Sequence, residues 1–124
     1  EEVRNFKHSF LIKETQMSDE QSKLFIPLYT EMEDKVYQAN RNARQLEADL
    51  SREKDEVSDE QYTAVAKALS DVTVIEGEIE KEYFKIFEKI LSPKQMFLLK
   101  RAENRFAVEM LNHNKRSKAK QGNE

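Results

Sequence analysis

The sequence contains no cysteine and no tryptophan, and only two glycines and two prolines among its 124 residues. Without cysteine, a disulfide, a thiolate-bound zinc site and a cysteine nucleophile are all excluded. No apolar run approaches the ~18 residues that cross a bilayer, and no signal peptide is recognisable. The chain begins at Glu1 rather than at Met, so we expect that an N-terminal segment was removed from a precursor. So few turn-forming residues favour long helices in a single domain over residues 1–124.

Charged residues make up 36% of the sequence and hydrophobic residues 38%, with a net charge of −3. This balance supplies no overall positive field for nucleic acid. The apolar residues suffice for narrow helical stripes rather than a thick core, so we expect a partner subunit that covers the remaining stripe. One basic cluster lies near the C-terminus, at Lys115, Arg116, Lys118 and Lys120. We interpret residues 112–124 as a frayed, solvated tail rather than a binding patch.

A short motif occurs three times, with an apolar residue before a serine and a glutamine three residues after it. The pairs are Ser18 with Gln21, Ser58 with Gln61, and Ser92 with Gln95. A serine in this position caps the helix by accepting a hydrogen bond from the amide three residues on, while the glutamine reaches back to the serine amide. Pro93 suits the first position of a helix. Each motif therefore predicts a helix start, stabilised by about 0.5–2 kcal/mol.

Apolar residues recur at alternating spacings of three and four, which is typical of amphipathic helices. Helices are predicted over residues 3–14, 18 to about 52, 58 to about 90, and from 92 onward, with a polar turn at 51–57. Pro27 predicts a kink costing ~3 kcal/mol, because the hydrogen bond to the Lys23 carbonyl is lost. Gly77, which costs ~1 kcal/mol in a helix, is interpreted as permitting a bend or a close helix approach. The predicted fold is all-α, a long antiparallel helical hairpin with a shorter helix at each end.

The two histidines raise the question of a metal site, which needs several ligands that converge. His8 and His113 lie on separate predicted helices. If the terminal helices meet, His8, Glu109, Met110 and His113 are weak candidate metal ligands; otherwise the histidines are unconnected. There is no glycine-rich phosphate loop and no serine, histidine and aspartate arrangement for nucleophilic catalysis. We therefore expect neither an enzyme nor a cofactor.

The aromatic side chains outnumber what one helical hairpin can bury, and two compatible interpretations follow. They fill junctions with the terminal helices and a dimer interface, or they form an exposed apolar patch edged by basic residues. The candidate client- or partner-binding residues are Arg41, Arg44, Phe84, Phe87, Phe97, Lys100, Arg101 and Arg105.

Three segments carry a resemblance to a known family: residues 7–14, Met17-Ser18-Asp19-Glu20-Gln21, and Phe25-Ile26-Pro27-Leu28-Tyr29. They resemble the Spy/CpxP-like periplasmic proteins, which are marked by a Leu-Thr-x-x-Gln motif. In a branch common among Bacteroidetes, Phe-Trp-Pro-Leu-Tyr follows that motif. The resemblance covers roughly residues 3–111. This sequence has serine for threonine in every copy, Met17 for leucine and Ile26 for tryptophan; serine keeps the capping hydroxyl.

The resemblance implies a four-helix α-hairpin protomer that forms a cradle-like homodimer in the periplasm. The family includes ATP-independent chaperones, envelope-stress regulators and heavy-metal sensors. The partners it implies are non-native proteins or an envelope signalling protein, with no nucleic acid and no membrane insertion. A metal-responsive periplasmic sensor and a dedicated helical adaptor for one partner protein are the alternatives. The metal-sensing branch is the least similar, because its clustered histidines have no counterparts here.

Overall fold

The structure is a computed structural model that describes residues 2–122, and for residues 113, 117 and 119–122 it describes the backbone alone. Four helices follow one another: α1 (Glu2–Thr15), α2 (Asp19–Ser51), α3 (Asp59–Phe87) and α4 (Pro93–Gly122). No strand occurs in this part of the chain. The predicted all-α class, with four helices and a hairpin turn before α3, is therefore confirmed.

The three serine–glutamine motifs form the hydrogen bonds that the sequence predicts. Each serine hydroxyl accepts a hydrogen bond from the backbone amide of the glutamine three residues on, at 3.1 Å in all three copies. Each glutamine side chain accepts in return from the serine amide, at 3.0, 2.9 and 3.0 Å along the chain. Two otherwise unpaired donors are thereby satisfied at the start of α2, α3 and α4, which is why these helices begin within a residue of the predicted positions.

Two helix ends differ from the prediction or extend it. α3 ends at Phe87 rather than near Ile90. The Ile90 and Leu91 amides both donate to the Phe87 carbonyl, at 2.9 and 2.8 Å, in the turn that leads to α4. α4 continues to Gly122, beyond residue 112 where the tail was predicted to begin; the fraying of residues 112–124 stays a prediction.

The chain divides into two compact units, which are described separately. The terminal-helix unit comprises Glu1–Ile26 and Phe87–Glu124, and the hairpin unit comprises Pro27–Ile86.

In the terminal-helix unit, α1 packs antiparallel against α4. The Phe106 ring lies 5.8 Å from the rings of both Phe6 and Phe10, measured between centroids. Phe25 and Phe87 form a second aromatic pair at 4.7 Å. The buried apolar side chains of this unit are Leu11, Met17, Phe25, Phe87, Leu91, Met96, Leu99, Ala102 and Phe106. Burial of these side chains is the main stabilising contribution to the unit.

In the hairpin unit, α3 runs antiparallel to the part of α2 that follows Pro27. The Asn40 side chain donates to Glu76 at 3.1 Å, and the Lys35 ammonium lies 5.0 Å from the centre of the Tyr83 ring. Hydrogen bonding to Tyr83 raises the pKa of Lys35 above its ordinary value. The buried side chains are Tyr29, Met32, Ala43, Val72 and Tyr83.

Burial in the hairpin decreases toward the turn at residues 52–58. Leu46 on α2 and Tyr62 on α3, whose spacing matches the other apolar residues of their helices, are 47% and 56% exposed. Helical spacing therefore does not imply burial at these two positions. The end of the hairpin unit that carries the turn therefore buries less apolar surface than its other end.

Pro27 and Gly77 were both expected to perturb their helices. Pro27 lies inside α2, which is continuous from Asp19 to Ser51, and the neighbouring Phe25 and Tyr29 are fully buried. The kink angle at Pro27 stays a prediction. A Cβ atom at Gly77 would meet nothing within 4 Å, so the predicted close helix approach at Gly77 is wrong within this chain.

Candidate functional site

Two of the three capping glutamines also bond to each other across the terminal-helix unit. The side-chain amides of Gln21 and Gln95 form a reciprocal pair, with both nitrogen-to-oxygen distances at 2.9 Å. The Gln21 amide also donates to the Ile90 carbonyl at 3.0 Å, and the Gln95 amide to the Thr15 carbonyl at 3.3 Å. These bonds join the start of α2 to the start of α4, so each glutamine both caps its own helix and holds another segment.

The sequence did not predict this pairing, since a capping motif specifies its own helix and says nothing about which helix ends meet. Gln61, in the second motif, has the cap hydrogen bonds but no such long-range bond in the structure. The three motifs are therefore equal as sequence patterns and unequal in tertiary structure. We assign the Gln21–Gln95 pair a structural role, because its amides are fully occupied by protein partners.

The eight predicted binding residues divide between the two units. Arg41, Arg44 and Phe84 belong to the hairpin unit, and the other five belong to the terminal-helix unit. Arg41 and Arg44 are exposed, whereas Phe84 is half-buried and makes contacts within the protein.

Phe87 does not meet the exposure that a client-binding role requires. Its side chain is 3% exposed and packs against Phe25 in the terminal-helix unit. The prediction of Phe87 as part of an exposed patch is therefore corrected. The helical pattern places Phe84 and Phe87 one turn apart, but only the tertiary structure shows that Phe25 covers the second of them.

Phe97 and Arg101 remain as an exposed aromatic and cationic pair on α4. Phe97 is 64% exposed, and the Arg101 guanidinium lies 5.8 Å from the centre of its ring. This distance is within the range of a cation–π contact. An exposed ring of this size beside a cation can contact both apolar and anionic groups of a partner.

Three of the other predicted cations take part in surface ion pairs. Arg44 lies 3.0 Å from Glu47, Lys100 lies 3.2 Å from Glu103, and Arg105 lies 3.5 Å from Glu14. Exposed ion pairs of this kind contribute about 0–1 kcal/mol and exchange readily with solvent. All three cations remain accessible to an anionic partner.

Phe97 and Arg101 belong to a longer stripe on α4 that the sequence did not predict as a group. This outer stripe of α4 comprises Phe97, Arg101, Asn104, Val108, Leu111 and Lys115. Every one of these side chains is exposed. Their spacing of 4, 3, 4, 3 and 4 residues is visible in the sequence, although the stripe of buried residues that contains Met96, Leu99 and Phe106 is the more apolar.

The four weak metal-ligand candidates do not form a site that can be described. His8 is buried on α1 and has a partner within the protein, whereas Glu109 and Met110 line an open, largely apolar cavity of about 280 Å³ with Glu2, Val3 and Phe6. The His113 side chain lies outside the described part of the chain. Among the side chains that are described, no three His, Asp or Glu residues lie close enough together to hold a metal ion.

Comparison with models of known protein families, with curated proteins and with solved structures finds no match to this chain. Within residues 2–122, no helix combines the length and the apolar character that a bilayer crossing requires.

Proposed function

We propose that this protein is a periplasmic, dimeric Spy/CpxP-like protein that binds non-native proteins, or an envelope signalling partner, without ATP. One observation supports the binding of non-native proteins above all. Eleven large hydrophobic side chains are exposed among the described residues, on a surface that is otherwise rich in charge. They are Val3, Phe6, Leu24, Tyr37, Leu46, Tyr62, Val74, Ile75, Phe97, Val108 and Leu111.

Exposed apolar side chains surrounded by charges suit a transient client. Burying apolar surface favours association, but the loss of translational and side-chain freedom opposes it, so a few side chains give a weak and reversible contact. Surface charges such as Arg101 and Lys100 then raise the association rate with clients of opposite charge, and this contribution falls with salt. No nucleotide is needed, because release follows from the weakness of the contact or from folding of the client.

The exposed apolar side chains also support the homodimer in this proposal. A second copy of the chain could cover some of these side chains and leave the others for a client.

The proposed client site is the Phe97–Arg101 pair, and aggregation of an unfolding client tests it. Wild-type protein, at a dimer concentration equal to that of the client and without nucleotide, should suppress light scattering, and salt should weaken the effect. Phe97→Gln should lose most of the suppression, since it removes the exposed ring. Tyr37→Gln is the matched control, because Tyr37 is 63% exposed on α2 and lies outside the proposed site.

Two results would count against this proposal. Absence of suppression with several unrelated clients would favour a dedicated adaptor for one partner protein. Equal loss in the Phe97→Gln and Tyr37→Gln proteins would keep the activity and reject the Phe97–Arg101 site.

A further inference from the structure

The outer stripe of α4 lies on the side of the helix opposite its buried residues. At 100° per residue, Val108 is about 180° from Leu99 and about 160° from Phe106. Leu99 and Phe106 are buried, whereas Phe97, Val108 and Leu111 are 64%, 57% and 56% exposed. On this side α4 therefore exposes three apolar side chains, interspersed with Arg101, Asn104 and Lys115, that no described residue of the chain covers.

α4 is also the basic part of an acidic protein. Its thirty residues include eight lysines and arginines and two glutamates, a net charge of +6 in a chain whose net charge is −3. Neither glutamate belongs to the outer stripe: Glu103 pairs with Lys100, and Glu109 lines the cavity beside α1. Lys115, Arg116 and Lys118 are exposed and continue the positive charge toward the end of the helix.

An apolar stripe within a basic helix matches two chemically different partners. An acidic protein helix could pair with the stripe, but it would enclose Arg101 and Lys115 between two helices and remove them from water, which is unfavourable for charged groups. At a lipid surface the same long side chains extend to the headgroup phosphates while their methylene stems lie along the apolar layer. Self-pairing of two α4 helices would place like charges side by side.

We propose that the outer stripe of α4 docks on the surface of an anionic lipid bilayer. Phe97, Val108 and Leu111 enter the boundary between headgroups and acyl chains, and the flanking lysines and arginines contact anionic headgroups, as in helices that lie in the membrane plane. This docking needs neither a client protein nor a dimer, and it restricts the protein to the neighbourhood of a membrane rather than inserting it.

Co-sedimentation with lipid vesicles tests the proposal. The probes are vesicles of pure phosphatidylcholine and vesicles in which one third of the lipid is phosphatidylglycerol. At low salt, binding to the anionic vesicles should be about tenfold tighter or more, and raising the salt should reduce this difference as the Debye length shortens. Equal binding to both vesicles, or no binding to the anionic ones, would overturn the proposal.

The apolar contribution is tested separately from the charge. Val108→Gln with Leu111→Gln keeps the charge and helix propensity and should weaken binding to the anionic vesicles about tenfold. The matched control is Val74→Gln with Ile75→Gln, two exposed apolar residues on α3 in the hairpin unit, which should leave binding unchanged. Circular dichroism verifies that both proteins keep their helices. Equal weakening by the two pairs would refute the assignment to α4.

The basic contribution is tested with Lys115→Gln and Arg116→Gln, which should also weaken binding about tenfold. Lys81→Gln with Lys85→Gln removes two exposed charges from α3 as a control and should have no effect. Double-stranded DNA serves as a competitor of equal phosphate concentration. If DNA displaces the vesicles and the Val108 and Leu111 substitutions have no effect, the surface is a general polyanion site and the proposal is wrong.

Discussion

At the scale of single residues, the side-chain pair of Gln21 and Gln95 should make these glutamines more important for stability than Gln61, although all three occur in the same sequence motif. Gln95→Ala removes the bond that the Ser92 backbone amide donates to the Gln95 side chain, and it leaves the Gln21 side chain and two backbone carbonyls with fewer partners. We expect a loss of about 2–3 kcal/mol, against about 0.5–1 kcal/mol for Gln61→Ala, where only the bond from the Ser58 backbone amide is lost. Chemical denaturation followed by far-ultraviolet circular dichroism measures both.

A double-mutant cycle refines this prediction. Gln21→Ala and Gln95→Ala together should lower the free energy of unfolding by less than the sum of the two single losses, because each substitution removes the same reciprocal bonds.

Two spectroscopic probes separate the units in this experiment. All four tyrosines lie in the hairpin unit, so tyrosine emission follows that unit alone, while circular dichroism follows the helices of both units. Equal effects of Gln61→Ala and Gln95→Ala would contradict the role assigned to the pair.

Gly77 gives a second prediction at this scale. Its position is helical, and an added Cβ meets no atom within 4 Å, so Gly77→Ala should stabilise the protein by about 0.5–1 kcal/mol through lower backbone entropy in the unfolded chain. Thermal denaturation at low protein concentration measures the shift. Destabilisation would mean that another molecule approaches α3 closely at Gly77.

The residue scale also shows where prediction from the sequence stops. Ser18, Ser58 and Ser92 could be identified as caps because their bonds stay within four residues. The burial of Phe87 could not be predicted, since it depends on Phe25, more than sixty residues away in the sequence. The Gln21–Gln95 pair could not be predicted either, because its two residues lie 74 positions apart in the sequence.

At the scale of helices, the hairpin unit has a gradient of burial that should appear as a gradient of stability. Tyr29, Met32 and Tyr83 are buried at one end, whereas Leu46 and Tyr62 are exposed near the turn. Regions with little buried apolar surface open more often. Amide hydrogen exchange should therefore be faster in residues 44–51 and 60–66 than in residues 29–36 and 79–86. Uniform protection along both helices would contradict this, and would indicate that a partner covers the turn end.

The helical periodicity predicted the existence and order of all four helices, and the caps placed three of the starts. It was less informative about burial, because spacing shows which residues share a face and not whether that face is covered. Leu46 and Tyr62 illustrate this limit on α2 and α3. On α4 the outer stripe and the buried stripe both have helical spacing, so spacing alone does not show which of the two is covered.

At the scale of the whole molecule, a highly charged surface carries many exposed apolar side chains. The all-α fold class follows from the sequence, whereas the proposed periplasmic location, dimer and client-binding role rest on the resemblance to Spy/CpxP-like proteins and on the exposed apolar side chains.

Equilibrium binding to one polypeptide in two states tests the proposed binding of non-native proteins. A fluorescently labelled protein is prepared in its native form and in a permanently unfolded form, and each is titrated with the wild-type protein in the absence of nucleotide while anisotropy is recorded. We expect that the unfolded form binds, that salt weakens the binding and that the native form does not bind. Binding of neither form, or equal binding of both, would contradict the proposal.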